Sequence, residues 1–454
     1  MDMKSSKRGT TQGRHLYGRT LPSFKEGSFA ANISFISGRN MATFAAQLIF
    51  TPVIMHLYDP AAYGTMGSVM GLALLCLPYS TLQYDRAMLL VRDENELQGL
   101  RTLSNYLPIA FALVLFTVLL IGGNGLLTAV GLPALGLLAL VAPLLIVVSA
   151  WAQTSQQMVF ARVRYKQNFV FGSLNAFGNK LVAIGYALVW GSGAVGLLLA
   201  EFLSRSAQLF FNNRLILRDP PQWARPVPSR TEVWRVARKY SGFPKYELPA
   251  VALAGIANQA PLWWIPKHFG LAAFGQFSLA MALLEIPLRL FGNSISSAFY
   301  QKAAQTFADK GPKALAQLTN RMVLILAVVG IIPFVTIALS AEPVFVFLFK
   351  DRWALAGTIT ASFCLFYYCR LVAEPVASVF RVVGAQWAYL SIHGLFLIIR
   401  VGIIAWTLMT DLPFIDAIRL YVWGNAFVSC VLIALVLILT RRATDTIMPH
   451  AGPA

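Results

Sequence analysis

Residues 103–123 read LSNYLPIAFALVLFTVLLIGG, twenty-one positions without a single charge. As a helix this run has the length of a bilayer core, since about 30 Å of hydrocarbon takes roughly 20 residues. The pattern repeats along the chain. Residues 131–152, 322–340 and 426–440 are equally free of charge. Of the 454 residues, 57% are apolar and only 12% are charged, about half the charge of an ordinary soluble domain. A backbone in lipid must satisfy its own hydrogen bonds, so spans built from continuous apolar runs are helices. A β-barrel would alternate apolar and polar residues instead.

The fold expected is therefore an all-α polytopic membrane protein. About twelve spans can be drawn, near 31–55, 61–83, 103–123, 131–152, 169–190, 193–213, 246–266, 272–297, 319–340, 354–373, 387–409 and 416–440. The chain divides into a basic tail (1–28), a six-helix lobe (29–213), a linker (214–245), a second six-helix lobe (246–440) and a short tail (441–454). The first tail lacks the apolar core and cleavage site of a signal peptide. The net charge of +18 would point to nucleic acid in a soluble protein, but here its placement argues otherwise. Basic residues crowd the first tail, the segment Arg162 to Lys166, the linker from Arg214 to Lys245, the segment Lys302 to Lys313 and the pair Arg441–Arg442. The opposite loops hold little beyond Lys267, Lys350 and Arg352. Positive loops stay in the cytoplasm, so both termini and the linker are expected there and no nucleic acid is expected as a partner.

The two halves resemble each other. Tyr58-Asp-Pro-Ala-Ala-Tyr-Gly64 returns 211 residues later as Phe269-Gly-Leu-Ala-Ala-Phe-Gly275. Each segment joins the first and second spans of its half. Six spans separate them, so the repeat is parallel, about an axis along the membrane normal. In the linker, Pro220, Pro221, Pro226 and Pro228 favour extended chain, and Thr231 to Tyr240 has the pattern of a basic amphipathic helix on a membrane surface.

Charges inside spans are costly, roughly 2.5–3.5 kcal/mol each, and usually carry function. They are Arg39, Lys180, Glu201, Arg205, Glu285, Arg289, Arg400 and Arg419, six cationic against two acidic. That excess suits an anionic cargo, because guanidinium binds phosphate through a planar fork. Arg39 stands beside Asn40 on a polar face that includes Gln47. A ligand-binding role competes there with a structural ion pair. Glu285 and Arg289, like Glu201 and Arg205, are spaced to share a helix face and neutralise each other. Lys180 follows Asn175 and Asn179, and Arg400 lies seven residues after His393. Asp85 and Arg86, at the end of the second span, are further binding candidates or else a local salt bridge. The substrate-binding set expected is thus Arg39, Asn40, Asp85, Arg86, Lys180, Glu285, Arg289 and Arg400. The four cysteines and five histidines form no CxxC, HExxH or other metal-ligand spacing, and no phosphate-binding P-loop is present. No cofactor, metal or enzymatic activity is expected.

Five short segments carry a resemblance. They are Leu57-Tyr58-Asp59-Pro60-Ala61-Ala62-Tyr63-Gly64, Tyr84-Asp85-Arg86-Ala87, Tyr240-Ser241-Gly242-Phe243-Pro244-Lys245-Tyr246, Phe299-Tyr300-Gln301-Lys302-Ala303-Ala304 and Trp353-Ala354-Leu355-Ala356-Gly357. In this order they resemble the polysaccharide exporter and O-antigen flippase family of the multidrug/oligosaccharidyl-lipid/polysaccharide superfamily. The resemblance implies two six-helix lobes around a central cavity. It implies export of an undecaprenyl-pyrophosphate-linked oligosaccharide across the bacterial inner membrane, with a polysaccharide polymerase and export machinery as partners. The alternatives are a cation-coupled exporter, disfavoured by the scarcity of interior carboxylates, and a membrane glycan polymerase, disfavoured by the short outer loops.

Overall fold

The computed structural model describes residues 29–447, apart from 90, 92, 131, 162–164, 218–227 and 289–292. Among the described residues the chain is helical throughout, without a strand. The first lobe holds α1 (Phe29–Leu57), α2 (Pro60–Thr81), a single turn α3 (Tyr84–Ala87), α4 (Glu94–Val130), α5 (Val141–Ala161), α6 (Tyr165–Trp190) and α7 (Ala194–Leu217). Helix α8 (Arg230–Lys239) lies in the linker. The second lobe holds α9 (Leu248–Asn258), α10 (Ala260–Pro287), α11 (Asn293–Phe349), α12 (Ala354–Val376), the turn α13 (Val379–Val382), α14 (Gln386–Thr410) and α15 (Phe414–Ile447).

Ten segments are long and apolar enough to span a membrane. One of them, Phe243–Ile286, is broken at Gly270 (φ +86°) and supplies two spans. Helix α6 is missing from the ten because its polar residues lower its hydropathy, yet its 26 residues extend about 39 Å at 1.5 Å per residue. Twelve spans result, as the apolar runs predict. The last helix runs on to Ile447, beyond the expected end at 440.

Local sequence explains the tight corners. Asp59 accepts a hydrogen bond from the Ala62 amide (2.6 Å) and Pro60 opens α2, a cap followed by the one residue whose missing N–H costs nothing there. The expected linker helix is present as α8. Ser229 and Glu232 cap it reciprocally, and Val236 packs on Gly99 of α4. Pro220, Pro221 and Pro226 lie outside the described residues.

The lobes share a packing plan. In each, the third span packs on the fourth, the fifth on the sixth and the fourth on the sixth: α4 on α5, α6 on α7 and α5 on α7, then α11 on α12, α14 on α15 and α12 on α15. The lobes join chiefly through α2 and α10. Val69 and Leu72 of α2 share one apolar core with Leu262, Trp264, Phe277 and Phe363 of the second lobe.

The repeated segments meet at this seam. A Cβ on Gly64 would stand 1.9 Å from the Leu271 carbonyl oxygen, and one on Gly275 would stand 1.9 Å from that of Pro60. Only glycine permits this mutual approach of two helix backbones. Around it, Trp353 donates its indole N–H to the Met55 carbonyl (2.9 Å) and Arg352 donates to the same carbonyl (2.6 Å) and to that of His56. These bonds satisfy the last carbonyls of α1, which no helical partner reaches. Counting spans, this seam closes the face opposite the linker.

Candidate functional site

A cavity of about 410 Å³ opens within the first lobe between α1, α6 and α7. Its walls are three polar stripes written at helical spacing. Helix α1 contributes Arg39, Thr43, Gln47 and Thr51; α6 contributes Asn168, Asn175, Asn179 and Lys180; α7 contributes Glu201, Ser204, Gln208 and Asn212. Residues three and four apart lie on one helix face. Such stripes cannot face lipid without unmet hydrogen bonds, so they face one another around a shaft.

The two cations occupy different levels of it. Arg39 donates to Asn168 Oδ1 at 2.6 Å, and its stem lies where a Cβ on Gly172 would intrude, 2.7 Å from Cδ. Lys180 sits twelve positions along α6 from Asn168, about 18 Å deeper by helical rise. Its ammonium has no hydrogen bond or ion pair among the described residues, while Glu201 is close enough to act on it by charge. Glu201 accepts from Asn179 (3.2 Å) and pairs with Arg205 (3.5 Å), so the expected self-paired site is present. At the shaft wall, Phe171 and Phe211 stack with ring centroids 4.6 Å apart and 8° between planes. Nearer the linker side, Gln208 donates to Gln156 (2.8 Å) and Asn212 to Ser155 (3.1 Å).

Of the expected binding residues, the structure brings Arg39 and Lys180 to this shaft. Asn40 is exposed and off the shaft wall, because one residue turns the helix by about 100°. Asp85 is fully buried, taking a hydrogen bond from Gln153 (2.7 Å). Arg86 pairs with Glu247 (2.8 Å) at the start of the second lobe, not with Asp85. Glu285 accepts from Arg370 (2.7 Å) and Tyr367 (3.0 Å), and Arg370 also holds Glu374 (2.6 Å). Arg400, 9% exposed, donates to Asn425 (2.7 Å), the Ala257 carbonyl (2.9 Å) and Asn258 (3.0 Å), tying α14 to α15 and α9. Its donors face helix partners rather than a cavity. Arg289 lies outside the described residues. Arg419 pairs with Asp416 (3.2 Å) on an exposed surface.

Sequence reasoning missed the α7 stripe and the Arg370–Glu374 pair. The first was visible as Glu201, Ser204, Gln208 and Asn212 at three- and four-residue intervals. The second was visible only as an i,i+4 spacing at the end of the tenth span. No cluster of three or more metal-ligating side chains occurs among the described residues. On the linker surface, Glu96 accepts from both Lys239 and Tyr240. That carboxylate, chiefly through its hydrogen bond, holds the Lys239 ammonium above its ordinary range.

The sequence profile of a family described as "Polysaccharide biosynthesis protein" matches residues 53–358, two thirds of the chain. The protein belongs to this family. No curated protein sequence matches it. Its fold is that of the MOP superfamily of transporters. An inward-facing multidrug resistance MATE transporter aligns over 92% of this chain and 94% of its own, with a TM-score of 0.61 and 15% identity. A MOP superfamily transporter from Pyrococcus furiosus, noted for the reverse polarity of its binding pocket, covers 91% and 96% at 0.56 and 16%. An outward-facing multidrug resistance MATE transporter covers the same shares at 0.51 and 16%. The family and fold make the chain a multi-pass membrane protein of polysaccharide biosynthesis.

Proposed function

We propose that the protein moves a lipid-linked oligosaccharide across the cytoplasmic membrane by alternating access, with both termini in the cytoplasm. The observation that carries this reading is the shaft of the first lobe. Two cations face one carboxylate there, and the rest of the polar wall is amide and hydroxyl. Amides both donate and accept, which is what a sugar hydroxyl needs. A flat aromatic pair serves the apolar face of a sugar ring. The volume lies within the range of small-ligand sites. Because the Arg39 side chain lies beside Asn168 and Gly172, about 12–18 Å along α6 from the level of Lys180, the two cations serve different parts of the cargo. Arg39 meets the phosphate near the linker side, and the glycan extends along the amide stripes toward Lys180. The prenyl chain stays in lipid.

The test is complementation. A strain lacking the gene should accumulate the lipid-linked repeat on the cytoplasmic leaflet, and the wild-type gene should clear it. Undiminished polymer export in the deleted strain would refute the reading. A second reading, a cation-coupled exporter, is favoured by the fold shared with MATE transporters and by Glu201 in the shaft. Drug sensitivity on deletion, with surface polysaccharide unchanged, would select it.

A further inference from the structure

A second cavity, of about 400 Å³, lies between α4, α5 and α7. It sits across α7 from the transport shaft, since Asn212 lines the shaft while Asn213 lines this cleft. Arg101, Asn105, Tyr106, Trp151, Thr154 and Asn213 shape it, and among the described residues no carboxylate lines it. The Trp151 indole donates to the Asn105 carbonyl at 2.9 Å, which fixes that wall. Thr154 is 2% exposed and its hydroxyl has no partner among the described residues. A buried hydroxyl without a partner costs about 1–3 kcal/mol, so its place on the wall of a cleft points to a ligand acceptor.

The level and surroundings identify the ligand class. Glu96 of α4 touches the linker helix through Lys239, and Arg101 is five residues further on, about 8 Å deeper. That is the headgroup zone of the linker-side leaflet. Tyr106 is 65% exposed, and above it on the same stripe of α4 stand Leu113 and Leu120, 63% and 60% exposed. A tyrosine at the interface below an apolar stripe marks the lipid-facing side of a span.

We propose that this cleft binds the phosphate headgroup of an anionic bilayer phospholipid, with the acyl chains lying along Tyr106, Leu113 and Leu120. Arg101 supplies the cationic fork, Asn105 and Asn213 supply amide donors, and Thr154 donates to a phosphate oxygen. The site is independent of the cargo, because α7 and its bonds to α5 separate it from the shaft.

The experiment is native mass spectrometry of the full-length purified protein with equimolar phosphatidylglycerol and phosphatidylcholine, and in a separate arm with farnesyl pyrophosphate. Phosphatidylglycerol should be retained about 10-fold over phosphatidylcholine, and Arg101→Gln should remove about 10-fold of that retention. Thr154→Val should lower retention several-fold while leaving the lipid-free protein as heat-stable as wild type, an outcome that a purely structural hydroxyl would not give. Lys350→Gln, a charge removed from the other face, should change neither. Retention by Arg101→Gln and Thr154→Val equal to wild type, or equal retention of the two phospholipids, would overturn the proposal. Displacement of phosphatidylglycerol by stoichiometric farnesyl pyrophosphate would overturn its assignment to a bilayer lipid.

Discussion

The two lobes pack their helices alike and treat their buried cations differently. In the second lobe Arg370 lies between two carboxylates, and Arg400 is held by two asparagines and a carbonyl. In the first lobe Arg39 has one amide partner, and Lys180 has no hydrogen bond among the described residues. The repeat carries Arg39 onto the uncharged Ala250, and the matching ends of α6 (165–190) and α14 (386–410), offset by about 220, set Lys180 level with Arg400. Among the described residues, the doubled fold places its two sparsely bonded interior cations in the first lobe. The saturated cations brace helices, and on the proposed function the sparsely bonded ones take the ligand.

The sharpest way to break this contrast is a matched pair of substitutions. Lys180→Met should cut export about 100-fold, the loss of a strong charge-assisted contact, while the melting temperature in detergent holds or rises. Arg400→Met should instead cost about 3 kcal/mol of stability by leaving buried acceptors unpaired, read as a lower melting temperature and reduced protein in the membrane. A stable but inactive Arg400→Met would place ligand chemistry in both lobes.

The seam tests the symmetric side of the comparison. Gly64→Ala and Gly275→Ala each force a Cβ into a carbonyl oxygen, an overpacking cost of about 1–3 kcal/mol. Both should raise labelling of an engineered cysteine beside Trp353 by a thiol reagent applied from the face opposite the linker, and to a similar degree. Unequal effects would show that the repeat is not equivalent at its point of contact. Next in size, Arg39→Lys should weaken apparent cargo affinity about 10-fold, because an ammonium lacks the planar fork. It is checked by the cargo concentration giving half-maximal transport in proteoliposomes. Least, Ser229→Ala should destabilise α8 by about 1 kcal/mol through loss of its cap, with transport unchanged and faster amide exchange confined to 230–239.

The architecture was legible because burial in lipid leaves a coarse signature. Charge-free runs gave the spans, and the Tyr58 and Phe269 segments gave the repeat and turned out to touch. Helix α6 shows the limit of hydropathy: the Asn175, Asn179 and Lys180 that line the shaft also make it look too polar to span. For the site, isolation was the useful signal. Arg39 and Lys180 lack an acidic residue within a helical turn, and both reach the shaft. Glu285 was legible only in part. Its spacing pointed to Arg289, which lies outside the described residues, and the structure adds Arg370, 85 residues away, a partner that no local rule can name. Arg400 was ambiguous because its partners, Asn258 and Asn425, are uncharged and distant in sequence.

The bonds that Arg352 and Trp353 make to the end of α1 set an equilibrium constant. Separating the lobes at that face breaks three of them. At about 1 kcal/mol net apiece, these three bonds contribute about 3 kcal/mol toward the closed arrangement, a factor of roughly 150. On the proposed function, the empty protein is then biased toward that face being shut, and cargo reaches the far leaflet only if it binds the open arrangement more tightly by a comparable factor. A mutation that loosened the clasp would raise idle opening without any change in the shaft. The leak of the resting protein and the affinity of its loaded form can thus be tuned by different residues.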